Sequence, residues 1–276
     1  MERYGFVGLG SQGAPMARRM IAAGLPVVLW ARRRESLAPF AGSGAEFAES
    51  LAELGSRVHY CGVCVVDDAG VEAVCRELIA TMAPGGRIVV HATASPALCR
   101  RLAVEAAERE LELVDAPVTG GGPAAEAGRL AVLVGGHPAV VAAIRPVLET
   151  FAARIFHLGE VGAGQRAKLL NNALMAANLA LAHLALEAAG DLGLDRAQFV
   201  ELVRAGSGHS FAFDVAARIA EPAAFAHGAR LLAKDLDLFA VELDVAQGRA
   251  AADARRLVET AGHFLQRALA PREAQP

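Results

Sequence analysis

The feature that most constrains this chain is an apolar run at residues 4–8 that ends in glycine and turns at once into a helix-spaced segment at 13–23. Between them lies Gly8-Leu9-Gly10-Ser11-Gln12-Gly13, a GxGxxG turn. A second apolar run, Pro-Val-Val-Leu-Trp-Ala at 26–31, follows, so strand, helix and strand fit in one short unit. Further strand candidates at 61–66, 87–92, 111–115 and 130–135 alternate with helical stretches at 46–54, 69–82, 96–109 and 138–150. Alternation of this kind predicts a mostly parallel sheet with helices on both faces.

After about residue 160 the strand signals stop and Ala/Leu-rich helical patterns run on, punctuated by Gly190, Gly193, Gly206, Gly208 and Pro222. The expected division is an α/β half at 1–160 and an all-α half at 161–276. Residues 271–276 read as a disordered tail.

With 54% hydrophobic residues in 276, the chain can bury a sizeable core. A net charge of −3 gives no basic face for nucleic acid or an anionic membrane. No leader pattern opens the chain and no window is a long uninterrupted apolar run free of charge, so a cytoplasmic location is expected. Four cysteines, 61, 64, 75 and 99, are too few for a disulfide framework. Cys61 and Cys64, even with His59 and His91, lack a second paired motif, and no metal is expected.

Each glycine of the turn has a distinct physical role. Gly8 permits the tight bend, Gly10 lets backbone approach a pyrophosphate, and Gly13 lets helix pack close on strand. Amide groups at the helix start, including those of Leu9, Ser11 and Gln12, then face the anion. At the end of the second strand an acid would bind the ribose 2′-hydroxyl of NAD. This chain has Ala31-Arg32-Arg33-Arg34 instead, and guanidinium groups suit a 2′-phosphate. NADP(H) is therefore expected in preference to NAD(H), with Arg32 and Arg33 as the readers.

A second glycine-rich entry, Gly162-Ala-Gly164, opens a helix carrying Lys168 and Asn172, one turn apart and on one face. An ammonium and a carboxamide in so apolar a run are costly unless they face a site. Asp115-Ala-Pro-Val-Thr119-Gly120-Gly121-Gly122 reads as a loop whose hydroxyl and amides can wrap a carboxylate.

As a set these residues resemble the β-hydroxyacid dehydrogenase family, which includes 3-hydroxyisobutyrate dehydrogenases and tartronate semialdehyde reductases. The glycine turn with Met16, the Asp115 loop with Ala127-Gly128 and Gly135-Gly136, the Gly162 to Asn172 segment and Lys234-Asp235-Leu236 fall in the family's order and spacing over residues 4 to 240. The resemblance implies Lys168 as catalytic residue, Asn172 as its helper at the substrate, and Thr119, Gly120 and Gly121 as the carboxylate holders. It places Lys234 near the cofactor, Thr93 near the nicotinamide ribose, and Val65-Val66 where many members have Leu-Pro beside the cofactor. It also implies a Rossmann-type dinucleotide-binding domain at 1–160 joined by a long interdomain helix to an all-helical substrate and dimerisation domain at 161–276, a homodimer or homotetramer, and a small carboxylate-bearing substrate.

Departures from the family pattern are threonine for serine at 119, which adds a methyl, His91-Ala92 ahead of Thr93, and a drifted region from Ala246 to Leu269. Reducing a carbonyl builds negative charge on oxygen, and Lys168 can supply the proton. A partly desolvated lysine can have its pKa lowered toward that task. Two alternatives stand beside this reading. One is imine reduction, in whose relatives the lysine is generally replaced; the other is carboxylate binding without turnover. His183 reads as a core or interface residue, and Phe211 and Phe213 as apolar wall beside the Ser207 to Ser210 loop.

Overall fold

The computed structural model describes residues 2–219, 221–246 and 248–270. The tail at 271–276 lies outside the described residues. Contacts divide the chain into two compact units, Met1–Lys168 and Leu169–Pro276.

The N-terminal unit runs β1 (Tyr4–Val7), α1 (Gly13–Ala22), β2 (Val27–Trp30), β3 (Glu46–Phe47), α2 (Leu51–Arg57), β4 (Tyr60–Val63), α3 (Asp68–Thr81), β5 (Arg87–Val90), α4 (Pro96–Ala107) and β6 (Glu112–Asp115). These six strands form one sheet in the order β3-β2-β1-β4-β5-β6, every pairing parallel. Successive residues of a strand face opposite ways, and each face has its own core. Phe6, Leu29 and Val89 join Met16 and Met20 of α1 on one side. Val7, Val28, Ile88 and Val90 join Leu54, Leu78 and Leu102 of the helices on the other. Strand order reverses between β1 and β4, and their C-terminal ends open a crevice there.

The unit continues with β7 (Val118–Thr119), α5 (Gly121–Glu126), β8 (Leu130–Val134), α6 (Pro138–Leu148) and β9 (Ala152–His157). The last three strands make a second sheet, β7-β8-β9, in which β7 runs antiparallel to β8. Strands β7 and β9 were not expected from the sequence. β9 sits at the sheet edge with an exposed, non-alternating pattern, so it lacks the period-two signal. Residues 46–54, expected as helix, split into β3 and α2. Ser50 accepts a bond from Glu53 N at 3.0 Å while Glu53 Oε2 accepts from Glu49 N at 2.8 Å, and this cap delays the helix to Leu51.

The long helix is α7 (Ala163–Asp191), and the C-terminal unit adds α8 (Arg196–Ala205), α9 (Phe211–Arg218), α10 (Ala226–Val245) and α11 (Arg249–Leu269). Small residues of α7, Ala173, Ala176 and Ala180, let Phe213, Leu232, Phe239 and Phe264 close around it in one core. By length and composition α7 could cross a bilayer, yet half of its most apolar window is buried inside the protein. A separate stripe of leucines, Leu170, Leu174, Leu181 and Leu184, is half-exposed along it.

Candidate active site

The crevice at the strand reversal is a cleft of about 540 Å³. Its walls include Gly8, Leu9 and Gly10 after β1, Trp30, Arg32, Arg33 and Ser36 after β2, and Val65 and Val66 after β4. The three glycines of the turn separate by geometry. Gly8 has φ +94°, and a Cβ there would strike the Cys64 carbonyl. A Cβ on Gly13 would strike the Gly8 carbonyl oxygen, whereas one on Gly10 would meet no atom of the described residues within 4 Å. Gly10 is thus not required by internal packing, which fits a glycine kept for close approach of a ligand. Ser11, Gln12 and Gly13 stand at the start of α1 rather than in the cleft wall.

Arg34 turns away and donates to both carboxylate oxygens of Glu49, at 2.8 and 2.6 Å. Arg32 and Arg33 stay exposed at the cleft. The cleft residues therefore fit a dinucleotide: open backbone at the turn, an apolar wall from Val65 and Val66, and two cations where an acid would sit in an NAD site. Ser36, Trp30 and Val74 belong to this wall as well. Nothing in their spacing marks them, because they converge only through the sheet.

The start of α7 is held from a distance. Asp115, at the end of β6 and fully buried, accepts from Gly162 N at 2.6 Å and Gln165 N at 2.7 Å. It thereby caps a helix some fifty residues away, where a local Ser or Asp ordinarily serves. Gly135 and Gly164 make room for it: a Cβ on Gly164 would lie 2.9 Å from Asp115 Oδ2 and would strike the Leu133 carbonyl. Desolvation is the largest influence on Asp115 and pushes its pKa up to about 6, against the two amide bonds and the charge of Arg100. Gln165, also fully buried, donates from Nε2 to Ala92 O at 2.8 Å and accepts from Ala94 N at 3.0 Å. Those two bonds bracket Thr93, so the helix start fixes the loop that carries it.

Thr119 lies in β7, paired with Ala131 of β8, and Gly121 opens α5. The segment expected as an open loop is therefore a strand end and a short helix. Gly120 and Gly121 both take positive φ, 125° and 72°. A Cβ on Gly122 would come within 3.2 Å of the Ser11 carbonyl oxygen, so this segment lies against the glycine turn.

Lys168 and Asn172 sit one turn apart on α7, and Lys168 is 9% exposed. In the C-terminal unit Asn172 Nδ2 donates to Asp235 Oδ2 at 2.6 Å, and Lys234 Nζ stands 3.2 Å from Asp235 Oδ1. Asp235 of α10 thus touches both Asn172 and Lys234; the sequence showed it only as a member of the Lys234-Asp235-Leu236 motif, with no role of its own.

Residues 3–159 match the family described as the NAD-binding domain of 6-phosphogluconate dehydrogenase. Residues 162–272 match the family described as the NAD-binding domain of NADP-dependent 3-hydroxyisobutyrate dehydrogenase. This chain belongs to the β-hydroxyacid dehydrogenase family. It is an NAD(P)-dependent dehydrogenase acting on CH–OH groups. The dehydrogenase is 32% identical over 215 residues to 2-(hydroxymethyl)glutarate dehydrogenase of Eubacterium barkeri, covering 77% of this chain and 71% of the relative. It is 32% identical over 226 residues to the NAD-dependent L-serine dehydrogenase of Pseudomonas aeruginosa, covering 78% and 73%. A solved structure of the 3-hydroxyisobutyrate dehydrogenase of Mycobacterium tuberculosis with L-serine superposes with a TM-score of 0.81 at 26% identity, over 96% of this chain and 95% of that one.

Several other polar residues of the dehydrogenase have structural partners or buried surroundings. His91 is buried, donates from Nδ1 to Ala116 O at 2.9 Å and accepts at Nε2 from the Tyr60 hydroxyl at 3.3 Å. The tautomer follows from the carbonyl, which can only accept, and desolvation holds its pKa down near 4. Burial pushes the Cys64 and Cys75 thiols up to about 12. His183 packs edge-on to Phe264 inside the helical core. Phe213 is 3% exposed and belongs to that same core rather than to a site wall, while Phe211 is exposed. Ser210 caps α9 by accepting from Phe213 N at 3.1 Å.

Proposed function

We propose that this dehydrogenase prefers NADP(H) to NAD(H) and interconverts a short 3-hydroxy acid with its aldehyde acid, with Lys168 as general acid and base. The observation that carries this is the buried Lys168 one turn from Asn172, on a helix whose first turn is pinned by Asp115. A buried ammonium is retained only where it has a task or a partner charge. The names of the relatives point the same way. 2-(Hydroxymethyl)glutarate, 3-hydroxyisobutyrate and L-serine each carry a hydroxymethyl group on the carbon that bears a carboxylate, and that is the substrate class proposed here.

In this reading Gly8, Leu9, Gly10 and the start of α1 hold the pyrophosphate, Arg32 and Arg33 the 2′-phosphate, and Val65 and Val66 an apolar face, with Thr93 at the ribose. When bound, the nicotinamide supplies the hydride acceptor or donor. Thr119 with the Gly120 and Gly121 amides binds the carboxylate, so the hydroxymethyl carbon is oriented before reaction. Lys168 takes the proton from the hydroxyl oxygen during oxidation and returns it to the carbonyl oxygen during reduction. The methyl of Thr119 narrows the carboxylate end. The half-exposed leucine stripe of α7 supports a homodimer in which a second copy covers it, and the native mass by light scattering decides that point.

The test is an absorbance assay of reduced nicotinamide with 3-hydroxyisobutyrate, L-serine and 2-(hydroxymethyl)glutarate, and in reverse with their aldehydes and one cyclic imine. Turnover of a hydroxy acid is expected, and Lys168→Met lowers kcat by about 10²- to 10⁴-fold. Trp30, the only tryptophan, lines the cleft and reports cofactor binding by fluorescence in the same variant. Near wild-type turnover in Lys168→Met overturns the general acid and base assignment; imine reduction alone overturns the substrate class.

A further inference from the structure

Asp235 is a carboxylate on α10 with only 4% of its surface exposed. Burying such a group is costly unless its oxygens are bonded and its charge is balanced. Here the two oxygens are used differently. Oδ2 accepts from Asn172 Nδ2 at 2.6 Å, and Oδ1 stands 3.2 Å from the Lys234 ammonium.

An ionised carboxylate can only accept, so the Asn172 amide must turn its nitrogen toward Asp235. Its oxygen is occupied too, accepting from Asn171 Nδ2 at 3.2 Å. With those two bonds made, Asn172 keeps one N–H to donate to a ligand, while its oxygen, held by Asn171, keeps a single lone pair. A bond to an anion polarises the amide and strengthens the N–H that is left.

We infer that Asp235 is a positioning residue that orients the Asn172 carboxamide as a hydrogen-bond donor to the reacting oxygen, with Lys234 balancing its charge. The inference rests on the proposed hydroxy-acid chemistry and deepens it. A donor at that oxygen stabilises the negative charge that grows there as an aldehyde is reduced, and the same charge in the shared transition state when the hydroxy acid is oxidised. A carboxylate placed at 172 cannot replace it, since it would face Asp235 with like charge.

The test is a double-mutant cycle on full-length enzyme, using Asn172→Ala, Asp235→Asn and the pair, with the hydroxy acid of the panel that turns over fastest. Asp235→Asn lets the amide at 172 adopt either orientation and is expected to lower kcat roughly tenfold. In the Asn172→Ala background the same change is expected to lower kcat no further, because the route of its effect is gone. Losses that multiply independently overturn the inference. A second reading does not depend on turnover. In the NADPH-bound enzyme, the Asn172 side-chain amide signal in a proton–nitrogen spectrum, identified by its loss in Asn172→Ala, is expected to shift in Asp235→Asn. An unshifted signal overturns the inference. An active Lys168→Met enzyme would count against the proposed reaction, whereas an inactive one with an additive cycle would count against Asp235 alone.

Discussion

Helices α1 and α7 both begin on glycine-x-glycine, Gly8 to Gly10 and Gly162 to Gly164, yet their first turns are completed differently. The start of α1 has no acidic residue in its first turn and no side-chain cap at Gln12. The start of α7 is filled by the Asp115 carboxylate, brought from another strand. A helix N-terminus carries partial positive charge and unpaired N–H groups, so it attracts an anion from somewhere. Where the protein supplies that anion, the helix end becomes a fixed joint. Where it does not, the end is a seat for a phosphate. Two similar glycine patterns are therefore completed differently in one unit, and the uncapped one is the proposed phosphate seat.

The comparison breaks most visibly at Asp115. Asp115→Ala leaves two buried amides without an acceptor at the helix that carries Lys168. It is expected to cost about 2–4 kcal/mol in denaturant unfolding and to lower kcat as well. Stability unchanged in this variant would mean the anchor is ornamental.

The glycine turn offers a contrast within itself. Gly13→Ala pushes a methyl into the Gly8 carbonyl and should destabilise by about 1–3 kcal/mol. Gly10→Ala meets no atom of the described residues within 4 Å, so its unfolding should stay within about 1 kcal/mol of wild type while NADPH affinity, read by Trp30 fluorescence, falls. If both variants lose stability alike, Gly10 is not held open for a ligand.

At the cleft, removing Arg32 and Arg33 together as alanines is expected to raise KM for NADPH by about tenfold or more, with a much smaller change for NADH. Equal changes for both cofactors would assign these arginines to a solvated surface.

The smallest expected effect is a slope with pH. The Asp115 pKa is raised from 3.8 to about 6 in the folded protein, so the folded state holds its proton more tightly than the unfolded chain. Its favourable contribution is complete below the unfolded value and is lost as pH rises through about 6. Wild-type stability should therefore decline relative to Asp115→Asn between about pH 4 and 7, and a parallel profile for the two proteins argues against the buried carboxyl.

Much of this was legible in the chain. The parallel sheet follows from apolar runs alternating with helical spacing, and the glycine turn is local, set by steric needs within a few residues. Lys168 and Asn172 were visible because a helix places residues four apart on one face. What escaped notice depended on contacts distant in sequence. Asp115 reads as the end of a strand, Gln165 as one more helix residue, and Asp235 as the neighbour of Lys234. Residues 118–119 and 152–157 are short or exposed strands with no periodic signal, so they were missed for a different reason.

The sequence by itself determined the fold class, the family and the candidate residues, because patterns of burial and steric constraint act over a few neighbouring positions. Only the tertiary structure decided which glycine-rich helix start is sealed by a carboxylate, and which way the Asn172 amide faces. Both are settled by a charge delivered from a remote element, and the attraction of a buried anion for N–H groups leaves no spacing in the sequence by which to find it.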